Sequence, residues 1–163
     1  MEQFNTLEAV SNLFNSINCV GQDNCYFVSY VDINASNSVM LGGILGGAVG
    51  AFAAGMAAGA EQNANGYLIN QTEKGIALIP LNTTGLTNNL KKMVPNTNSF
   101  IFVAQSDIKR IKIRRANLIS LVSKQITIEL NDGKKFHLLV NLKEKLIPYQ
   151  QENVAKFLEK YKK

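Results

Sequence analysis

Not one Lys or Arg occurs in the first 73 residues, which carry six acids, whereas residues 74–163 hold all 17 basic residues against another six acids. This asymmetry is more informative than the net charge of +5. It points the second half, not the first, toward an anionic partner or surface. The chain has one histidine, His137, and two cysteines, Cys19 and Cys25, too few for a zinc pattern. It has no cluster of carboxylates, and its glycines lack the Lys-Ser/Thr ending that a phosphate-cradling loop needs. No catalytic residue, metal or cofactor is therefore expected, and the chain reads as a non-enzyme. His137 alternates with Lys135 and Leu139 against Phe136, Leu138 and Val140, which predicts a structural role on the outside or half-buried. Met1-Glu2-Gln3 is acidic where a secretory signal would be basic, and no apolar run follows it, so no signal peptide is expected. The cysteines are expected to be buried free thiols.

One apolar run stands out against these absences. Val39 to Ala60 comprises 22 residues without a charged or polar side chain, 14 of them Gly or Ala. On a helical wheel Leu41, Leu45, Val49, Phe52 and Met56 share one side, and Gly42, Gly43, Gly46, Gly47 and Gly50 fill the other. The four-residue recurrence of small residues is the stripe of closely packed transmembrane helices, so these five glycines are the expected helix-packing positions. Seven glycines would cost an isolated helix roughly 1 kcal/mol each relative to alanine. Either lipid or a closely packed backbone must offset that cost. A bilayer-spanning helix would place the basic C-terminal part in the cytoplasm and the N-terminal tail outside. The alternative is a cytoplasmic soluble protein in which this helix packs on the remainder or on a second subunit.

The chain divides around this run into residues 1–38, 39–60 and 61–163. In the first part, Leu7, Val10, Phe14 and Ile17 predict a helix over 5–18, with Asn5 and Glu8 as a capping box and Gly21 closing it. Cys25–Ile33 reads as a strand by its β-branched and aromatic content. From Gly66 the apolar period changes to two. Strands are expected over 67–71, 76–81, 100–104, 107–115, 118–123, 125–130 and 135–140. Hairpin signals lie at Thr72-Glu73-Lys74-Gly75 and Asn131-Asp132-Gly133. Pro148 marks a helix start, and Val154, Phe157, Leu158 and Tyr161 form its apolar stripe.

Seven strands followed by one amphipathic helix make an α+β chain. The segment Ser106-Asp107-Ile108-Lys109-Arg110-Ile111, the strands flanking Asn131-Asp132-Gly133-Lys134-Lys135-Phe136 and the final helix resemble the second half of bacterial pleckstrin-homology-like (PH-like), GRAM-like domains. The resemblance covers about 100 residues from Gly66. It implies a bent antiparallel β-barrel of about seven strands, capped by the C-terminal helix. Phosphoinositide-binding members carry several basic residues in the first hairpin loop; here that loop holds only Lys74 beside Glu73, so no site residues carry over.

The candidate surface is the run Lys109-Arg110-Ile111-Lys112-Ile113-Arg114-Arg115. On a strand, Ile111 and Ile113 point inward while Arg110, Lys112 and Arg114 form an outward stripe. Such a stripe suits an anionic membrane surface or simply blunts an edge strand against aggregation. The run lacks the interleaved aromatics of a nucleic-acid platform. The leading expectation is a membrane-associated protein whose PH-like module binds an anionic lipid surface or a protein partner, with self-association through the glycine face. The alternative is a soluble interaction or oligomerisation protein.

Overall fold

The computed structural model describes residues 3–32, 64–83, 89–116 and 121–162. The glycine-rich run, with Gly42, Gly43, Gly46, Gly47 and Gly50, lies outside these residues, as do Leu118, Ile119 and Ser120 of an expected strand. The described chain is α+β: two helices and one large antiparallel sheet of eight strands.

Helix α1 spans Leu7–Ser16. Its cap is Thr6, whose Oγ1 accepts from the Ala9 N–H at 3.1 Å, one residue later than the Asn5 cap expected from the sequence. The helix ends at Ile17, and Asn18 takes the left-handed conformation there (φ 56°), so the closure falls before Gly21. Strands follow as β1 (Cys25–Val31), β2 (Ala64–Gln71), β3 (Gly75–Asn82), the two-residue β4 (Val94–Pro95), β5 (Ile101–Ala104), β6 (Ile108–Arg115), β7 (Ser123–Leu130) and β8 (Lys135–Asn141). Helix α2 spans Gln150–Lys160 and begins two residues after Pro148. Of the strand expected over 118–123, Leu121 and Val122 form a bend and Ser123 opens β7, because β6 and β7 already pair with each other out to Arg115 and Lys124.

The strand order is β4-β3-β2-β1-β8-β7-β6, with β5 beside β4 on the same edge of β3. Strand β1, which the sequence reading grouped with the N-terminal piece, lies in the middle, between β2 and β8. Tyr30 faces Gly66 of β2 on one side and Leu139 of β8 on the other. The N-terminal piece and the basic part therefore share one sheet. Among the described residues β5 pairs only with β3 and β6 only with β7, so the sheet stays open where the resemblance implied a barrel. A 3-10 turn at Gln105–Asp107 carries the chain between these two edges. At the β2–β3 turn, Gly75 sits at φ 152° with its α-carbon against the Val103 carbonyl, an approach that leaves no room for a side chain.

Two apolar clusters sit on opposite faces. One gathers Phe27, Ile69, Leu78, Val103, Ile128 and Leu138 around Val154 and Phe157 of α2. It draws on every strand except β4, so the sheet curves about α2. The other packs Phe4, Val10 and Phe14 on Tyr26, Val28, Leu68 and Ile79, covering the β1–β3 half and reaching β8 through the half-buried Leu139. Strand β1 joins β8 only at Tyr30 and Val31. Where the two strands splay apart, α2 supplies side chains in place of a strand: Gln150 accepts from Val28 N–H (2.8 Å) and donates to Val28 O and Asn141 O (both 2.9 Å), while Asn153 donates to Tyr26 O (2.8 Å). These bonds explain why two amides lie buried in an apolar core.

Candidate functional site

The β6–β8 half is covered on one face only. Alternation along each strand turns Ile113, Ile126, Ile128, Phe136, Leu138 and Val140 toward α2 and leaves polar residues on the other face. The register sets the residues of this face in three rungs: Arg110–Glu129–Lys135, Lys112–Thr127–His137 and Arg114–Gln125, the last ending on the apolar Leu139. A shallow concavity of about 270 Å³ runs over them, lined by Lys112, Arg114, Gln125, Thr127, Lys135 and His137.

The structure divides the basic stripe expected from the sequence. Lys112 and Arg114 line the concavity. Arg110 does not, because its guanidinium donates to Glu129 Oε2 at 2.6 Å, and Lys109 Nζ approaches the same carboxylate at 3.5 Å. Arg110, with Lys109 in support, holds the Glu129 carboxyl down at about 2. By contrast, Lys112, Arg114 and Lys135 form no salt bridge among the described residues.

Lys135 and His137 join the stripe from β8, two strands away from β6, and Gln125 and Thr127 come from β7 between them. The strand alternation of residues 125–130 and 135–140 could have placed these four on one face. Only the register places them beside Lys112 and Arg114. His137 Nδ1 lies 3.2 Å from Thr127 Oγ1, and Gln125 Nε2 donates to Asp32 Oδ2 at 2.6 Å. Partial burial lowers the His137 pKa from its ordinary value, Asp32 opposes that shift, and Lys135 adds to it. At neutral pH the concavity thus offers three cations, a hydroxyl and a neutral imidazole, with one carboxylate at its rim. That set attracts anions by charge and hydrogen bonding, and contains no activated nucleophile.

Other chemistry-bearing groups are occupied within the fold. Cys25 Sγ donates to Asn153 O at 3.0 Å, and burial pushes its thiol up to about 11, far from a reactive thiolate. Both cysteines are free. Glu73 accepts from the Gln22 and Asp23 N–H groups, and Lys74 Nζ donates to Val20 O, so the β2–β3 turn is tied to the residues before β1. No group of three His, Cys, Asp or Glu suited to a metal occurs among the described residues, and no described helix is long and apolar enough to cross a membrane. Compared with known proteins, the chain matches no family model, and no curated protein or solved structure matches it.

Proposed function

We propose that this chain is a non-enzymatic, membrane-associated module with PH-like architecture, and that the outer face of β6–β8 binds an anionic lipid surface. The architectural part is supported by the antiparallel run of strands from β5 through β3, β2, β1, β8 and β7 to β6, and by the C-terminal helix in the curve of the sheet. One observation carries the binding part: Lys112, Arg114 and Lys135 share one concave face without a salt-bridge partner among the described residues. Near an anionic leaflet each such cation contributes about 1 kcal/mol.

Residues 33–63, the glycine-rich run included, connect β1 to β2, whose residues Tyr30 and Gly66 are paired. Self-association through the glycine face of that run is a separate part of the proposal: Gly46→Leu with Gly50→Leu is expected to reduce crosslinked oligomers, and an unchanged oligomer size contradicts it.

The binding proposal is tested by flotation of the full chain with phosphatidylcholine vesicles, with and without phosphatidylserine. Phosphatidylserine is expected to raise binding. Lys112→Glu, Arg114→Glu and Lys135→Glu together should cut that increment about a hundredfold or more. A wild type indifferent to phosphatidylserine, or a triple variant that binds as well as wild type, overturns the reading.

A further inference from the structure

The bend between β6 and β7 combines two features that a soluble hairpin usually avoids. Leu121 and Val122 are 71% and 67% exposed, above every other large hydrophobic side chain among the described residues. The strands feeding the bend also end with like charges face to face, Arg115 directly opposite Lys124. Such a cross-strand pair is destabilising in water. No Asp or Glu occurs from Ile108 to Ile128 to relieve it. The Val122 carbonyl accepts from the Leu142 N–H at 2.8 Å, which ties the bend to the end of β8 and brings the exposed Lys143 beside it. The one acid near the bend, Glu144, is engaged within the fold: it accepts from Tyr30 Oη and from Asn141 Nδ2, both at 2.7 Å, and Asn141 in turn accepts from Ser123 Oγ. Two exposed apolar side chains thus adjoin strand ends that carry Arg114, Arg115 and Lys124, with Lys143 next to the residue that bonds the bend.

We infer that Leu121 and Val122 insert into the interface of an anionic bilayer while the cations of the adjoining strand ends sit at its headgroups. The occupant follows from both features: apolar side chains gain by leaving water, and the cations gain only where the surface is negative. The inference rests on the lipid-binding reading above and adds to it the element that enters the membrane and the end of the sheet that points at it. A protein surface complementary to this tip would need an apolar pocket rimmed by acids; a bilayer needs no pocket.

The chain contains no tryptophan, so Val122→Trp places a single reporter at the tip. With phosphatidylserine vesicles its emission should shift to the blue and be quenched by lipids brominated in the acyl chain. Flotation without a change in emission overturns the insertion and leaves the lipid-binding reading intact. Failure to float with phosphatidylserine overturns both. A blue shift without lipid that grows with protein concentration names a second copy as the occupant and also overturns the insertion. In a second variant, Leu121→Ser with Val122→Ser, thermal unfolding should be unchanged and phosphatidylserine binding about tenfold weaker. Unchanged binding there contradicts the inference as well.

Discussion

The halves of the sheet on either side of the β1–β8 splay differ in what lies against their second face. Strands β1 and β3 are buried at all but their last residue, because α2 lies on one side and α1, with the chain around Met93 and Tyr149, on the other. Strand β8 alternates buried and half-buried along its length, and β6 is exposed at Lys109, Arg110, Arg114 and Arg115. Doubly covered strands leave nothing free to meet a partner and read as continuous apolar runs. Singly covered strands keep one face for contact with something else. The basic residues follow the same division, being absent before Lys74 and frequent in β6.

Substitutions can break or sharpen this contrast. The largest effect is expected where both faces are packed: Phe27→Ala removes a ring 1% exposed and 5.0 Å from the Phe157 ring, and should cost about 3–5 kcal/mol in urea denaturation. Ile79→Ala, on the α1 side of β3, should cost about 2–4 kcal/mol by the same measurement. If that second face proves tolerant, the covered half is less packed than its burial indicates. Next comes Gln150→Ala at the splay, which leaves the Val28 N–H and two carbonyls unbonded and should cost about 2–4 kcal/mol.

Smaller effects belong to the singly covered half and depend on pH. The Glu129 carboxyl is depressed to about 2 in the folded state, chiefly by its bond to Arg110. Its contribution is fully present above the ordinary carboxylate value of about 4.3 and fades as the pH falls toward 2. Glu129→Gln should flatten the acid limb of a plot of Tm against pH; an unchanged limb would show that the ion pair adds nothing. His137 is also depressed, so its contribution holds above about 6.5 and is lost as the imidazole becomes charged at lower pH. An NMR titration should place His137 below the ordinary value, and anionic vesicles should raise it. Thr127→Ala, on the outer face of β7, loses a β-branched side chain and the hydroxyl's contact with His137 and should cost about 1 kcal/mol.

Local signals in the sequence carried much of this fold. Periodicity over residues 7–17 and 154–161 located both helices, and Asn131-Asp132-Gly133 located the β7–β8 turn. Strand alternation alone accounts for the two faces of β1, with Phe27 in the cluster around α2 and Tyr26, Val28 and Tyr30 in the cluster around α1. The place of β1 in the sheet was not legible, because its pairing with β8 joins residues more than 100 positions apart and leaves no local trace. For the same reason the site was half seen. Lys112 and Arg114 were visible in one strand, whereas Lys135 and His137 reach them only through the register of β7. Arg110 looked equivalent to Lys112 until Glu129, directly across the pair, claimed it.

The central claim is that the singly covered half of the sheet meets an anionic surface and the doubly covered half does not. Hydrogen–deuterium exchange of the full chain, with and without phosphatidylserine vesicles, tests it most directly. The account predicts new protection in peptides covering Lys109–Lys143 and none in those covering α1 and β3. Protection confined to α1 and β3, or none anywhere in β6–β8 under conditions where the chain floats with the vesicles, would contradict it.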